Sequence, residues 1–459
     1  MNTIIAYNES IRYIEEDLEH IGVANEIILC LNFHSILKLE IQTKSYDHHH
    51  SFKPNVLNCL IKSDLVQLDE NSFNYRVQIV IEMQLKTNPL IHLIFSLAFF
   101  LSGLCINFVQ SFLYFTLAWF DLQAFRRLNF YLNYSLWSQI VALAQWWAHT
   151  ELTIYYPDKN ALKLSESKPM ICLMNHTFEI DWVIAWLAVD YYQKLGNAKS
   201  FVKKSLRWIP IIGWSWIFGE FTFLERNLEK DSKNIIESLT KFLQFEHPVS
   251  LLCFAEGTRF TKTKHENSMK FAQERHLPIL KHHLLPRPRG FHLCVKTFQE
   301  QKADVYIAQI QLRFSRDSHP TFMKLLRGEK LKADMFVKIF SINEVPCETE
   351  QATTDFLYSL YQNQDQLADY YEQNESFPGL KCKIEPRLCS LLNWISWLTI
   401  TILIVPYLLS KFMVNSSWTM IFIFVSIILV GILSVLIMIN STKIKKASSY
   451  GIDSKTKKN

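Results

Sequence analysis

Leu90 to Phe120 is a long apolar run without a charged residue. It is long enough for one tilted membrane span and more than one needs. Ser102-Gly103 interrupts it near the middle, and Asn107 and Gln110 are polar. Two short helices dipping into one leaflet are therefore an alternative to a full crossing. Arg126 and Arg127 read as interfacial anchors, and the Trp-rich stretch Leu136 to Trp147 suits a headgroup boundary. Beyond residue 150 the pattern changes. Strand-like runs at Met170–Met174, Val249–Phe254 and Ala303–Leu312 alternate with helical ones such as Asp231 to Phe245, whose apolar positions are Ile235, Ile236, Leu239, Phe242 and Leu243. Alternation of this kind predicts an α/β domain, a central sheet flanked by helices.

The C-terminal part returns to apolar runs. Residues 346 to 378 are acidic and polar, with a helical stripe at Phe356, Leu357, Leu360 and Tyr361 that predicts a docked helix. Leu391 to Leu409, carrying Pro406, and Trp418 to Ile439 then form two spans joined by a short turn through Lys411, Asn415 and Ser416, a transmembrane hairpin. Lys443, Lys445, Lys446, Lys455, Lys457 and Lys458 make the tail basic, so it is expected on the cytosolic side, and the hairpin puts the α/β domain there too. The predicted organisation is residues 1–82 without assigned function, 83–148 as N-terminal membrane-embedded or interfacial helices, and 149–345 as the α/β domain. A docked helical segment over 346–388, two transmembrane helices over 389–440 and a basic tail over 441–459 complete it.

Composition narrows the classes. Gly 11 is low for a Gly-rich dinucleotide or phosphate-binding loop, and a net charge of +5 is too small to indicate nucleic acid. It suits work beside anionic lipid headgroups. The nine cysteines include no CxxC pair, which indicates neither a zinc ribbon nor a disulfide framework, and reduced thiols are expected. His48-His49-His50 are adjacent and point in different directions on any regular element, so they read as a solvated loop. No metal site is expected: His282 and His283 are adjacent, and HExxH is absent. The start lacks the basic and apolar regions of a signal peptide.

Chemistry gathers where the first apolar strand ends. Asn175 and His176 follow Met174, and Asp181 lies five positions past the histidine. A helix beginning near Thr177 would turn that carboxylate back towards the imidazole. Such a pair is suited to general-base work, because the carboxylate fixes the tautomer and stabilises the imidazolium. Three further stretches carry arginines: Phe221 to Arg226, Phe254-Ala255-Glu256-Gly257-Thr258-Arg259, and Leu284 to Phe291 with Arg287 and Arg289. Guanidinium groups hold phosphate bidentately, and Gly257 allows close approach of the backbone or a positive φ. Taken singly, each arginine could equally close a structural ion pair or sit on a surface turn.

Taken in order, these stretches resemble the 1-acylglycerol-3-phosphate acyltransferase family, in its gamma/delta branch. Asn175 to Asp181 looks like that family's NHxxxxD motif. Phe223 to Arg226 is similar to its second motif, with Glu220 where a glycine is usual, and Phe254 to Arg259 to its third. Leu285-Pro286-Arg287 with Gly290-Phe291 resembles the proline motif that follows. Further similarity lies at 135–139, 203–206, 210–214, 261–265 and 448–451, so that the resemblance covers roughly residues 83 to 459. Residues 1–82 stand outside it, and Met83 is the start the resemblance implies, the preceding stretch being an extension or gene-model artefact.

The resemblance implies an acyl-CoA-dependent enzyme with no bound cofactor, acylating the sn-2 hydroxyl of lysophosphatidic acid to give phosphatidic acid. His176 would be the base and Asp181 its orienting partner. Arg226, Glu256, Gly257, Thr258 and Arg259 would bind substrate, the Gly257-Thr258 N–H groups facing the oxyanion and Glu256 holding a substrate hydroxyl or an arginine. Lys203, Lys204 and Arg287 are candidates for CoA or phosphate contacts, with a solvated basic face as the alternative for the lysines. Membrane phospholipids, not nucleic acid, are the expected partners, and a multi-pass protein of the endoplasmic reticulum or another endomembrane is the expected setting. Rival readings are an acyltransferase for another lysophospholipid such as lysophosphatidylinositol or monolysocardiolipin, and a membrane scaffold that kept the fold without the chemistry. A serine hydrolase is disfavoured because GxSxG is absent.

Overall fold

The computed structural model describes residues 84–407, apart from 226, 317 and 319, and scattered positions between 410 and 433. The expectations for residues 1–82, Met83, Arg226, most of the Trp418–Ile439 span and the basic tail fall outside these residues. The chain divides after Lys86, and the fold below is that of the second unit, Thr87–Asn459.

Eight strands form one mixed sheet: β1 (Glu151–Tyr156), β2 (Met170–Met174), β3 (Ala198–Lys203), β4 (Thr222–Leu224), β5 (Ser250–Cys253), β6 (Tyr306–Phe314), β7 (Lys332–Ser341) and β8 (Leu380–Lys383), in the spatial order β4-β3-β5-β2-β6-β7-β1-β8. From β4 to β6 every neighbouring pair is parallel; β6 and β7 are antiparallel, β7 and β1 parallel, and β1 and β8 antiparallel. Strand β2 reads as an unbroken apolar run because it lies inside the parallel half between β5 and β6, with every residue buried. A side chain buried as Leu173 or Met174 is contributes about 1.5–3 kcal/mol over leaving it exposed. Strand β8 falls in what the sequence suggested was a docked helical segment; it is short, half polar and at the sheet edge, so its alternation carries little signal.

The main helices are α1 (Pro89–Phe115), α2 (Leu122–Ala142), α3 (Asp181–Tyr191), α4 (Leu228–Phe242), α5 (Lys262–Glu274), α6 (Pro288–Glu300), α7 (Glu350–Asn374) and α8 (Leu388–Thr399). Helix α7 buries Leu357, Leu360 and Tyr361, the stripe the periodicity marks, against the sheet and α6.

Three N-terminal expectations are corrected. Ser102-Gly103 does not break α1, which runs on to Phe115 before its C-cap at Thr116. Gly103 is instead a notch: an added Cβ there would stand 2.2 Å from Ile211 Cγ2. Leu136 to Ala144 is not at a headgroup boundary but buried, with Trp137 1 % exposed. Arg126 is not an interfacial anchor. It is buried and forks onto Glu220, with Nε to Oε1 and Nη2 to Oε2 both at 2.8 Å. Arg127 is exposed and pairs with Glu246 at 3.4 Å.

Pro89–Phe120 and Leu388–Tyr407 are long and apolar enough to cross a membrane. The faces of α1 are inverted relative to a soluble helix. Its polar side chains point inward, Gln110 donating to Asn129 at 2.7 Å and to Asn133 at 2.9 Å, and Asn107 to Ser215 at 2.6 Å. Phe108, Phe112 and Phe115 point out, followed by Trp119 at 81 % and Phe120 at 90 % exposure. An apolar exterior around a polar, hydrogen-bonded seam is the pattern of a helix that meets lipid, where polar groups must find protein partners. The protein is membrane-associated.

Candidate active site

Strands β4, β3, β5 and β2 are parallel neighbours, so their carboxyl ends open on one edge of the sheet, where ligands of open α/β sheets bind. His176 follows β2, the Glu256–Arg259 turn follows β5, Lys203 ends β3, and Glu225 follows β4.

Residues 175–180 form a loop and α3 begins at Asp181, four residues later than the sequence suggested. The cause is the Asp181 side chain. Its Oδ2 accepts from Thr177 N at 2.6 Å and Phe178 N at 2.9 Å, and also meets His176 Nδ1 at 3.0 Å. Those backbone donors therefore go to the carboxylate and not to a helical ladder. Asp181 is 1 % exposed, while the His176 side chain keeps 17 % of its surface. With Nδ1 donating to Asp181, Nε2 carries the lone pair of a base. The imidazole stacks on Phe254, centroids 4.0 Å apart and planes 19° apart, which locks its rotation. Asn175 ties the loop to β6: Leu312 N donates to its Oδ1 at 2.7 Å and its Nδ2 to Leu312 O at 3.1 Å.

Glu256 is 3 % exposed. It contacts neither an arginine nor the open edge. Its Oε1 accepts from His176 N at 3.1 Å and its Oε2 from Leu284 N at 3.3 Å. Burial raises its carboxyl to about 8, against the lowering pull of those two donors. Its place is beneath the site, joining the histidine loop to the 281–287 loop. Gly257 has φ 72, and a Cβ there would lie 2.9 Å from Arg287 Nε, so the exposed Arg287 side chain covers this turn. The Gly257 N–H is occupied by Phe254 O at 2.9 Å, which removes it as an oxyanion donor. Thr258 Oγ1 accepts from Lys264 Nζ at 2.6 Å.

Arg259 is half-buried, and its Nη1 has no hydrogen-bond partner among the described residues. Desolvation lowers its pKa, opposed by the charges of Glu179 and Asp181. A buried guanidinium N–H left open beside the His–Asp pair is a waiting donor for an anion. Lys203 and Lys204 are exposed, Lys204 pairing with Glu225 at 2.5 Å; with Arg207 and Trp208 they line an open cleft of about 400 Å³ at the ends of β3 and β4. His282, Asp369 and Glu372 come close enough to suggest a metal. His282 Nε2 lies 2.8 Å from Asp369 and Nδ1 3.3 Å from Glu372, and Lys281 Nζ already stands 2.6 Å from the same Asp369 oxygen as a cation.

Sequence reasoning did not find the Phe254 stack, the downward-facing role of Glu256 or the bracing of the 281–287 loop. Phe254, two positions before Glu256, was the one available signal for the first.

The family model described as Acyltransferase matches residues 158–280, and that described as Acyltransferase C-terminus matches 324–397. The 1-acyl-sn-glycerol-3-phosphate acyltransferase gamma of Homo sapiens is 38 % identical over 370 residues, covering 80 % of this chain and 96 % of that protein. The delta enzyme of Bos taurus is 38 % identical over 380 residues, covering 81 % of this chain and 98 % of that protein. The crystal structure of the 1-acyl-sn-glycerophosphate (LPA) acyltransferase of Thermotoga maritima matches 60 % of this chain and 97 % of its own at 15 % identity, with a TM-score of 0.34. That likeness is too loose to carry residue positions over. The chain belongs to the 1-acyl-sn-glycerol-3-phosphate acyltransferase family, and within it is similar to the gamma and delta members.

Proposed function

We propose that the chain transfers a fatty acyl group from acyl-CoA to the sn-2 hydroxyl of 1-acyl-sn-glycerol-3-phosphate, giving phosphatidic acid and free CoA. The observation that carries the site reading is the His176–Asp181 pair at 3.0 Å beside an Arg259 Nη1 without a partner among the described residues, in a chain of this family. The acceptor's phosphate seats against Arg259, with Arg226 and Arg287 as further cations. This holds the sn-2 oxygen near His176 Nε2. As that oxygen attacks the thioester carbonyl, Nε2 takes its proton and Asp181 stabilises the imidazolium. The Thr258 N–H, with no acceptor among the described residues, is the donor for the tetrahedral oxyanion. Collapse breaks the C–S bond, and the imidazolium returns its proton to the leaving thiolate. The Lys203–Trp208 cleft is assigned to phosphate groups of CoA. No acyl-enzyme is needed.

The same reading makes this a multi-pass protein of the endoplasmic reticulum or another endomembrane, with the catalytic domain in the cytosol. It is supported by the apolar outward face of α1, the candidate span at Leu388–Tyr407 and the basic tail.

The test is acyl transfer by membranes carrying the full chain, with lysophosphatidic acid beside a panel of other lysophospholipids, for wild type and His176→Ala. Activity on lysophosphatidic acid that drops by about 10²–10⁴-fold in the variant is the expected result, the usual worth of a positioned general base. Activity confined to another acceptor moves the substrate assignment, and equal rates in the two proteins remove His176 from the chemistry.

A further inference from the structure

The 281–287 loop carries Arg287 and supplies the Leu284 N–H that holds Glu256, yet it lies outside the sheet ladders and regular helices. Lys281 and His282 meet Asp369, and Leu285 N donates to Ser268 Oγ at 2.9 Å, but the backbone at the start of the loop is fastened by one residue of α7. Asp365 Oδ2 accepts from Lys281 N at 2.6 Å, and its Oδ1 accepts from His282 N at 2.8 Å and meets His283 Nδ1 at 2.8 Å. Donors from three consecutive loop residues thus converge on a single carboxylate.

His283 is buried, and burial lowers its pKa, so the ring is neutral with Nδ1 donating to Asp365. Nε2 is then an acceptor, and the Gln311 carboxamide lies 2.9 Å from it. A half-turn of that amide brings its NH2 to Nε2 and pairs a Gln311 nitrogen that otherwise has no partner among the described residues. The ring is therefore held at both nitrogens, between α7 and β6, and packs perpendicular to the Tyr361 ring with centroids 5.9 Å apart.

Beyond His283 the connection runs straight to the site. Leu284 N donates to Glu256 Oε2, Glu256 Oε1 accepts from His176 N, and Arg287 N donates to Ala255 O at 2.8 Å. The near flank of the Gly257–Arg259 turn, at Ala255 and Glu256, is thereby referred to α7, which lies in the stretch matched as Acyltransferase C-terminus. The His176–Asp181 contact and the Phe254 stack do not pass through this route.

We infer that α7 is a brace for the phosphate cradle of the acceptor, with Asp365 as a positioning residue acting through His283 and Leu284 on Glu256 and the Gly257–Arg259 turn. It sets how tightly the anionic acceptor is held; the His176 ring keeps its own Asp181 contact and Phe254 stack and meets the route only through its backbone N–H. The inference rests on the proposed function for the identity of that acceptor.

Asp365→Asn keeps the shape but leaves one oxygen for donors that need two. In the full chain, KM for the acceptor and kcat are measured together with amide exchange over 281–287 and 255–259. The expected result is a KM raised between about 10- and 100-fold, the range that an ångström-scale misplacement costs, with kcat changed much less. Exchange is expected to quicken in both stretches. An unchanged KM, a loss confined to kcat, or faster exchange at 281–287 without change at 255–259 would each overturn the inference. His283→Gln, which removes the ring donor but keeps the two backbone bonds, is read by the same measures if Asp365→Asn does not accumulate as folded protein. Wild type without activity on lysophosphatidic acid counts against the proposed acceptor alone; the kinetics are then taken on the acceptor that is used, and the exchange readout is independent of it.

Discussion

Two buried carboxylates next to each other in the site have different tasks because their surroundings differ. Asp181 gathers two backbone donors and an imidazole on one oxygen, so it is both a loop former and the partner of the His176 ring. Glu256 has only two long backbone bonds to offset full burial, and its carboxyl is raised from 4.5 to about 8. A group whose folded pKa is raised binds its proton more tightly in the native state, so its contribution is present below the unfolded pKa and is lost as pH rises through the folded one. The thermal midpoint is therefore expected to fall between pH 4.5 and about 8 more steeply in wild type than in Glu256→Gln, which cannot ionise. Thermal unfolding of both proteins across that range checks this, and parallel curves would remove Glu256 as the titrating group.

At the level of elements, the joint between α1 and the sheet edge is set by one unusual turn. Ile211 has φ 69 and ψ −68, and Ile212 N donates to Pro210 O at 2.8 Å, a γ-turn of the rarer, strained hand. The turn drives the Ile211 side chain into the notch left by Gly103. Gly103→Ala is expected to cost about 1–3 kcal/mol by overpacking, read as a lowered unfolding midpoint. Adding Ile211→Ala should recover part of that loss, and strict additivity of the two changes would show that the residues do not share this contact. Glu220 shows a second such balance. It holds φ 53, a conformation in which a non-glycine residue pays roughly 1–2 kcal/mol, at the position where the resembling motif has glycine. Its bidentate bond to buried Arg126 keeps the turn before β4 tied to α2. Behind the pair, burial pushes Lys199 down to about 7, and its ammonium nitrogen reaches Gly219 O.

For the whole molecule, the sheet's carboxyl edge and the apolar face of α1 belong to one body. An enzyme whose acceptor and product both live in a leaflet gains from that arrangement, because the site never leaves its substrate pool. Replacing Phe112 on the outward face of α1 by Glu should weaken membrane retention while leaving the inward Asn107 and Gln110 contacts intact. Carbonate extraction of membranes is the measure, with more variant than wild type in the soluble fraction; equal retention would show that the outward face of α1 is not needed to hold the protein there.

The strand that ends at Met174, the His176–Asp181 spacing, the docked stripe of α7 and the family are legible along the chain, because a buried parallel strand and a motif loop are local patterns with few alternatives. The sequence by itself could not separate a helix break from a packing notch at Gly103, or an interfacial arginine from a buried one at Arg126. Those outcomes depend on partners 108 and 94 residues away along the chain, Ile211 and Glu220. The direction in which Glu256 points, the closure of β8 on β1 and the convergence of Lys281, His282 and His283 on Asp365 were likewise decided only by tertiary structure. In each case the deciding contact joins segments whose separation no periodicity records, and a buried polar group takes whichever donor the fold brings to it.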